Sequence, residues 1–384
     1  MRKVYLDNAA TAPMDPAVIT ARHDVDRSVF GNPSSIHYFG QTSKVHLEQS
    51  RKIVAESIGA QPDQIIFTGG GTESDNLAVI GTALANRDRG SHIITTEIEH
   101  PAVLESMRYL TRIGFSISYL KCDKKGKFKI SGLEALIRDD TILLSAMMVN
   151  NETGCVLPLH EFSAIVRAKG IIFHSDAVQG FGKLDLNVSD LNLDLVSLSA
   201  HKIHGPKGVG SLYVRKGILI DRIIHGGSQE VNRRAGTENL AGIVGFAAAI
   251  KQMDVYRAEQ SKVKDWRDNF EKQLKQLNRG ILINGEGTER VGTISNVYFP
   301  QLPADTMLIN LDMAGIAASA GSACSSGSTR ASHVLSAMGL SKERVKNSIR
   351  FSFSRFNSME DINYTIMTIR EIYNRLEISH GHDG

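Results

Sequence analysis

Lys202 is the residue whose position is most unusual for its type. It follows the apolar run Leu195–Ser199 and belongs to the segment AHKIHGPKG, residues 200–208. The run is typical of a buried strand, so we expect Lys202 to emerge at the strand end, inside the protein. Partial burial favours the neutral amine that Schiff-base chemistry requires. The alternative is a strand-end lysine whose ammonium group reaches solvent.

A glycine-rich segment, GGGT at residues 69–72, lies between a predicted strand and a predicted helix. Glycine allows close approach of the backbone to a ligand, and the amides and dipole of a helix start favour an anion. The segment matches neither GxGxxG nor GxxxxGK[ST], which argues against a mononucleotide P-loop. A phosphate site of another kind and a tight turn with Thr72 as the N-cap explain the glycines equally well.

Further polar residues follow other predicted strands. Asp176 could hold a cationic ring nitrogen, which is what a pyridoxal cofactor needs from an acid, although an N-cap role explains it too. His100 would direct an imidazole into the same cleft, and Asn150 and Asn151 offer amide donors there. A lone histidine at such a position more often has a structural role. These residues therefore indicate a binding site only when they are considered together.

Cys324 lies in the segment GSACSSGS, residues 321–328. Cysteine is usually buried among apolar residues, but this segment offers few of them. We therefore expect an exposed, mobile thiol, of which about a few per cent is strongly nucleophilic thiolate at neutral pH. The alternative is an incidental cysteine, since exposed reactive thiols are vulnerable to oxidation.

The composition is that of an ordinary globular protein, with 384 residues of which 42% are hydrophobic and 22% charged. This length allows a large core and predicts two subdomains. The net charge of +3 is nearly neutral and Lys and Arg are spread along the chain, so we predict no direct nucleic-acid contact. We find no signal-peptide segment and no membrane-spanning run, and we expect a cytoplasmic location.

The cysteines and histidines do not form a metal motif. Cys122, Cys155 and Cys324 are far apart and include no CxxC pair, so neither a disulfide framework nor a structural zinc site is predicted. His201 and His204 are three positions apart but have no neighbouring thiolate or carboxylate partner in the sequence. We therefore predict no metal ligands.

Between about residues 41 and 214, helix-like and strand-like segments alternate. Repeated β-α units predict an α/β fold with a mostly parallel sheet covered on both faces, and ligands at the carboxyl ends of its strands. The predicted strands are 64–68, 92–95, 115–120, 142–149, 171–174, 193–198 and 210–214, and the predicted helices are 44–58, 72–87, 101–113, 132–137 and 160–168.

After Glu238 the pattern changes. Residues 241–277 predict a mostly helical stretch with an apolar stripe, which we interpret as core packing. Strands at 294–299 and 349–353 and helices at 305–311 and 359–376 predict a smaller α+β domain. We predict that the tail, residues 380–384, is disordered.

Several motifs in one order resemble the NifS/IscS-like cysteine desulfurases, a class V aminotransferase-related family of fold-type I pyridoxal phosphate enzymes. The resemblance runs from YLDNAAT at residue 5 to SIRFS at residue 348. It includes GNPSS at 31, TESDN at 72, EH at 99, NNE at 150, DAVQ at 176 and SAHKIHGPKG at 199.

The resemblance implies the fold of the fold-type I pyridoxal phosphate-dependent transferases, with a mostly parallel central sheet flanked by helices and a smaller α+β domain. The large, cofactor-binding domain would be residues 15–255. The small domain would combine residues 1–14 and 256–384 and would carry a mobile cysteine loop at about residues 320–332.

The resemblance also assigns the cofactor, pyridoxal 5'-phosphate, to strand-end residues. Lys202 would bind it covalently, Asp176 would pair with its ring nitrogen, and His100 would stack on the ring and assist proton transfers. Gln179 and Asn151 would hydrogen-bond around its phenolic oxygen. Its phosphate would be held by Gly71, Thr72, Ser199 and His201.

Three further roles follow from the resemblance. Thr237, in the segment RAGTE, would reach the phosphate of the partner subunit, which implies a homodimer with composite active sites. Arg350 would bind the substrate carboxylate through its rigid bidentate fork. Asn32 and Asn151 would lie near the substrate.

The implied reaction converts L-cysteine to L-alanine. Lys202 would remove the α-proton of the substrate, and the Cys324 thiolate would attack the substrate sulfur and become a persulfide. A sulfur-acceptor protein would then take the sulfur for iron–sulfur cluster assembly or tRNA thiolation. The cysteine segment resembles that of the NifS/IscS subgroup rather than the RxGHxC pattern of the SufS-like subgroup. The longer C-terminal extension of IscS-type housekeeping enzymes does not follow Leu376.

Two alternatives remain open at this point. A selenocysteine lyase, or another class V aminotransferase-like enzyme, would use the same scaffold. A sulfur-relay or scaffold component would bind partners without turnover, and the full set of cofactor positions argues against it.

Overall fold

The computed structural model describes residues 2–278, 280–321 and 331–380, with side chains up to residue 376 in the last helix. Cys324 and most of the predicted cysteine loop therefore lie outside the described residues, as do residues 381–384 of the tail. The described strands are β1 Val4–Tyr5, β2 Ile65–Thr68, β3 His92–Thr96, β4 Ser116–Leu120, β5 Thr141–Ser145, β6 Ile172–Asp176, β7 Leu195–Ser199, β8 Gly210–Val214, β9 Leu282–Asn284, β10 Ile294–Tyr298, β11 Ile316–Ala317 and β12 Ser348–Ser352.

A seven-stranded sheet is the central element, with the strand order β2-β8-β7-β6-β5-β3-β4. Neighbouring strands are parallel except around β8, which is antiparallel to β2 and β7. Every residue of β3, β5, β6, β7 and β8 is buried, as expected when helices cover both faces of a parallel sheet. The predicted α/β class and mostly parallel sheet are confirmed.

Two smaller sheets complete the strand pairing. Strands β12, β10 and β9 form an antiparallel sheet in that order. Strand β1 pairs in parallel with β11, which joins the first residues of the chain to its C-terminal third.

The helices are α1 Pro16–Ser28, α2 Tyr38–Glu56, α3 Gly71–Asn76, α4 Thr82–Ala85, α5 Pro101–Arg112, α6 Ile130–Leu136, α7 Leu159–Ala168, α8 Gln229–Asn232, α9 Leu240–Lys251, α10 Met253–Ala258, α11 Gln260–Leu277, α12 Ala304–Met313, α13 His333–Ala337, α14 Lys342–Lys346 and α15 Met359–His380. A π-helical turn, Leu77–Gly81, joins α3 to α4 without a break. Helix α5 shows how local sequence fixes a helix start. Its N-cap is His100 and its first residue is a proline, whose fixed φ suits that position.

The apolar core is divided into clusters. Two of them pack against the central sheet, and one of these includes Phe173 and Val196 while the other includes Ile172 and Leu195. Alternate residues of one strand point to opposite faces, so the two clusters occupy the two sides of the sheet. A third cluster joins Leu6 to residues of α11, α12, α15, β10 and β12. This third cluster draws on both segments of the predicted small domain, whose boundaries stay a prediction.

The stretch 241–277 is mostly helical, as predicted, and is divided into three helices, α9, α10 and α11. Met253 and Tyr256 of α10 pack in the same cluster as the central sheet, whereas Trp266 of α11 packs in the third cluster, so the chain turns as it passes between them. The predicted strand 142–149 ends at Ser145 as a regular strand. The Met147 N–H donates instead to the Glu99 carboxyl group.

Candidate active site

A cavity of about 200 Å³ lies at the carboxyl ends of β6 and β7, beside the first residues of α3 and α5. It brings together all but three of the predicted site residues, namely Gly71, Thr72, His100, Asn151, Asp176, Gln179, Ser199, His201, Lys202 and Arg350. Several other residues of its wall were not predicted from the sequence, among them Ala9, Ala10, Asp75, Met147 and Val178.

Lys202 is half-buried and ends a short 3-10 helix, Ala200–Lys202, that follows β7 directly. Its Nζ donates hydrogen bonds to the carbonyl oxygens of Ala9, at 2.7 Å, and Ala10, at 2.6 Å. The structure thus places Lys202 at the strand end and inside the protein, as expected. The two carbonyl groups come from a segment about 190 residues away, and no local sequence pattern signals that contact.

Two buried carboxyl groups form one wall of the cavity. Asp176 ends β6, and its Oδ1 accepts a hydrogen bond of 2.9 Å from the Val178 N–H. Burial raises the pKa of Asp176 to about 6, against the opposing effects of this hydrogen bond and of the Lys202 charge. Asp75, on α3, has a pKa well above its ordinary value, because of burial first and the Asp176 charge second. Its position three and four residues after Thr72 and Gly71 puts it on the same helix face, a signal that the sequence analysis missed.

His100 caps helix α5 and also lines the cavity. Its Nδ1 accepts a hydrogen bond of 3.1 Å from the Ala102 N–H, as the N-cap of α5. Burial, together with the smaller electrostatic effects of Lys202 and His333, lowers the pKa of His100 to about 4. The ring is therefore neutral at physiological pH. With Nδ1 accepting, its hydrogen is carried by Nε2.

Arg350 is almost completely buried on β12. One Nη donates to the Asn151 carbonyl oxygen at 2.9 Å, and the other donates to Asp7 Oδ1 at 2.9 Å. Its Nε and the Asn151 side-chain oxygen are both buried without a hydrogen-bond partner among the described residues. The guanidinium is thus held at the cavity with part of its donor capacity unused.

The glycine segment and the end of β7 meet at one end of the cavity. Gly71 is the first residue of α3, and a Cβ there would lie 2.8 Å from Val178 Cγ2. The Ser199 hydroxyl is buried without a hydrogen-bond partner among the described residues. An open pocket on the same side adds Thr11 and Lys207, which the sequence analysis did not assign.

His201 faces this end of the cavity as well. Its Nδ1 lies 3.2 Å from Thr11 Oγ1, which again ties the site to the N-terminal segment. Burial, together with the smaller effects of the Lys202 and Lys207 charges, lowers the pKa of His201 to about 4.

Three predicted site residues are not in the cavity wall of the described chain. Asn32 is exposed, and its side chain accepts a hydrogen bond of 2.9 Å from the Ser34 N–H. Thr237 is also exposed. Cys324 lies outside the described residues. The roles predicted for all three stay predictions.

Comparisons with known proteins agree over nearly the whole chain. The aminotransferase class-V family model matches residues 4–365. A cysteine desulfurase IscS from Dictyoglomus turgidum is 44% identical over 379 residues, which are 98% of this chain and 95% of that protein. Among solved structures, a NifS-like protein superposes with a TM-score of 0.91 at 38% identity, covering 97% of this chain and 100% of its own. SspA in complex with cysteine superposes with a TM-score of 0.83 at 34% identity, covering 93% and 100%.

The chain therefore belongs to the aminotransferase class-V family, a family of pyridoxal phosphate-dependent enzymes, and its fold is theirs. Within that family it stands with the NifS/IscS-like cysteine desulfurases, as the order of its motifs predicted. None of the described helices is long and apolar enough to cross a membrane.

Proposed function

We propose that this protein is a cysteine desulfurase whose cavity binds pyridoxal 5'-phosphate and whose Cys324 receives the substrate sulfur. The observation that carries the proposal is the shared cavity of Lys202 and Asp176, an amine and a carboxyl group at the ends of neighbouring strands. The cysteine desulfurase relative, 44% identical over nearly its full length, supports the same activity.

The residues of the cavity fit the proposed cofactor. Its aldehyde carbon needs an amine, its ring nitrogen an acid and its phosphate a set of donors, for which Lys202, Asp176 and the Gly71–Ser199 end of the cavity are suited. Buried polar groups nearly always have hydrogen-bond partners. The unpartnered Ser199 hydroxyl is therefore best explained by a ligand that accepts from it. At Gly71 the backbone is free to approach that ligand, because a side chain there would collide with Val178.

When bound, pyridoxal 5'-phosphate supplies an electron sink that stabilises negative charge at the α-carbon of an amino acid. Lys202 Nζ removes the proton from that carbon. Neutral His100, with its hydrogen on Nε2, is suited to assist proton transfer beside it. Arg350 binds the substrate carboxylate with the donor that its partners Asp7 and Asn151 leave unused.

Cys324 carries out the sulfur transfer. Its thiolate attacks the sulfur of L-cysteine, an S–S bond forms and the Cβ–S bond breaks. The electron pair of the broken bond stays with the carbon fragment, which takes up one proton at Cβ, regains the proton at the α-carbon and leaves as L-alanine. Cys122 is unsuited to this role because burial raises the pKa of its thiol to about 12. Cys155 is buried beside Thr288.

The homodimer belongs to the same proposal. Phe30, Ile36 and Tyr38 are 74%, 94% and 77% exposed and lie in the chain segment that contains Asn32. A soluble protein rarely leaves such large apolar side chains uncovered in one patch. We assign this patch to the subunit interface, where Asn32 and Thr237 would reach the partner's cavity.

The acceptor of the sulfur is a second protein. Persulfide sulfur on Cys324 would pass to an iron–sulfur scaffold or to a tRNA-thiolating enzyme in the cytoplasm. Pull-down with a persulfide-loaded protein, followed by sulfur tracing, distinguishes these two acceptors.

The experiment that tests the proposed activity measures products. The protein purified with pyridoxal 5'-phosphate should convert L-cysteine to L-alanine in amounts equal to the sulfur released. Lys202→Ala should abolish alanine formation, whereas Cys324→Ala should abolish sulfur transfer and keep the bound cofactor's absorption. Failure of the wild-type protein to form alanine, or undiminished sulfide release by Cys324→Ala, would contradict the proposal. A preference for selenocysteine would instead identify a selenocysteine lyase.

A further inference from the structure

Lys183 is joined to the active site through a single amide group. Its Nζ donates a hydrogen bond of 2.7 Å to Gln179 Oε1. Gln179 Nε2 in turn donates to the Ala9 carbonyl oxygen at 2.8 Å, the same oxygen that accepts from Lys202. A chain of hydrogen bonds thus runs from Lys183 through Gln179 and Ala9 to Lys202.

The two ends of the Lys183–Gln179 hydrogen bond face different spaces. Gln179 lines the active-site cavity. Lys183 lines a smaller cavity of about 60 Å³ on the other side of Ala9 and Lys202, which border both. Lys183 is absent from the wall of the active-site cavity among the described residues, so any influence on a ligand there must pass through other groups.

The chemistry of the two side chains decides the orientation of the amide. A glutamine amide carries an acceptor at one end and donors at the other, and the two orientations are sterically almost equivalent. While it is protonated, the Lys183 amine offers donors only, so it binds Oε1 and disfavours the flipped orientation. The flip would place Nε2–H against the ammonium hydrogens.

We propose that Lys183 is a positioning residue that fixes the Gln179 amide with its N–H group toward the active-site cavity. The inference rests on the proposed function, in which Gln179 hydrogen-bonds around the phenolic oxygen of the cofactor. A donor in that place favours the oxygen's negative charge, whereas a flipped amide would present its own oxygen and repel it.

The surroundings of Lys183 keep its amine in place, unlike those of a lysine on the solvated surface. Burial, together with the smaller effects of the Lys202 and Arg350 charges, lowers the pKa of Lys183 to about 7. Such a site disfavours a charged lysine, so a lysine there requires a specific partner. Gln179 Oε1 supplies that partner at short distance.

The test compares four variants of the full-length protein. Lys183→Met removes the donor at similar length, Lys183→Arg keeps a donor-only group, Gln179→Ala removes the amide, and Lys183→Met/Gln179→Ala combines the losses. For each, pyridoxal 5'-phosphate is titrated into protein freed of cofactor. The dissociation constant, the absorption spectrum of the bound cofactor and the thermal unfolding midpoint without cofactor are measured.

We expect Lys183→Met to weaken cofactor binding at least about tenfold and to shift the absorption spectrum, with Lys183→Arg within about threefold of wild type. The double variant should match Gln179→Ala, because Lys183 acts through that amide. Additive losses in the double variant, or unchanged binding and spectrum in Lys183→Met, would overturn the inference. If Lys183→Met does not fold, Lys183→Leu, which also lacks a donor, replaces it with the same expectation of non-additivity. Absence of cofactor binding by the wild-type protein would instead contradict the proposed function itself.

Discussion

Asp75 and Asp176 place two buried carboxyl groups within one small space, where their oxygens and a ring nitrogen of His100 all lie within 4.8 Å of one another. Two carboxyl groups this close do not both ionise readily, because each charge disfavours the other. Burial raises the pKa of both, and Asp75 is affected well beyond its usual range. Of the two, Asp75 has the more strongly raised pKa and holds its proton more readily, which leaves Asp176 as the carboxyl group better suited to the ring nitrogen.

Because the two carboxyl groups differ in this way, replacing aspartate by asparagine should have different effects at the two positions. Asp75→Asn resembles the neutral acid, so it should retain the absorption spectrum of the bound cofactor and most of the activity. Asp176→Asn removes the charge that the ring nitrogen requires and should lower alanine formation by about 100-fold. Absorption spectroscopy and alanine assays on both variants check this. An equally severe loss in Asp75→Asn would contradict a neutral Asp75.

Glu99 should make stability depend on pH. Its Oε1 accepts hydrogen bonds from Thr96 Oγ1 at 2.6 Å and from the Met147 N–H at 2.9 Å, while Oε2 is buried without a hydrogen-bond partner among the described residues. Burial raises the pKa of Glu99 from 4.5 to about 8. In this pH window the folded protein keeps a proton that the unfolded chain releases, so the free energy of unfolding falls as pH rises.

Glu99→Gln removes that titration and keeps an acceptor for both donors. The variant should match wild type near pH 4.5 and be more stable near pH 8. Urea unfolding at several pH values measures the difference. Glu134→Gln, at an exposed position of α6, is the matched control and should follow the wild-type curve. Parallel curves for wild type and Glu99→Gln would show that Glu99 is ionised in the folded protein.

Arg350 should govern substrate binding more than cofactor binding. Arg350→Lys keeps a positive charge but loses the planar fork, and the KM for L-cysteine should rise about tenfold or more while the cofactor spectrum is retained. Arg138→Lys, at an exposed site, should leave KM unchanged. Steady-state kinetics and unfolding midpoints separate lost substrate binding from lost stability. An unchanged KM in a folded Arg350→Lys protein would place the carboxylate elsewhere.

Gly321 and Ser332, which flank the segment containing Cys324, both approach the buried Glu152 carboxyl group. Ser332 Oγ donates to Glu152 Oε2 at 2.5 Å, and a Cβ on Gly321 would lie 2.7 Å from the same oxygen. Gly321→Ala should therefore slow persulfide formation about tenfold and spare the cofactor spectrum.

Gly339→Ala is the matched control for that prediction. Gly339 and Gly321 both have positive φ, +69° and +100°, but a Cβ on Gly339 meets no atom within 4 Å. The two substitutions share the backbone strain and differ in the collision with Glu152. Equal rates of persulfide formation in the two variants would show that the contact with Glu152 does not matter.

Sequence patterns were sufficient to predict the features of the fold and of the site that depend on neighbouring residues in the chain. The buried runs at β6 and β7 and the glycines before α3 predict a parallel sheet with ligand groups at its carboxyl edge, and the cavity lies there. The chain order of the motifs was specific enough to predict the family. The strand ends bring Lys202 and Asp176 together because β6 and β7 are parallel neighbours.

What the sequence did not predict depends on contacts distant along the chain. The Ala9 and Ala10 carbonyl groups reach Lys202 because long-range contacts hold the N-terminal segment, among them the pairing of β1 with β11 and the hydrogen bond from the Ala9 N–H to Ser352 Oγ. Lys183 has no unusual local pattern, and its link to Gln179 appears only when both side chains are placed. Neither break within 241–277, at Gln252 and at Glu259, has a glycine or proline, and the change of direction accompanies packing in two separate cores.

Cys324 is the residue that we propose carries the sulfur. The most direct measurement gives the cofactor-loaded protein one turnover of sulfur-labelled L-cysteine and maps the label on its three cysteines by mass spectrometry of alkylated peptides. We predict label on the Cys324 peptide as a persulfide, in proportion to alanine formed, and none on the peptides of Cys122 and Cys155. Alanine formation with label on either of those cysteines, or with no label on Cys324, would contradict the account.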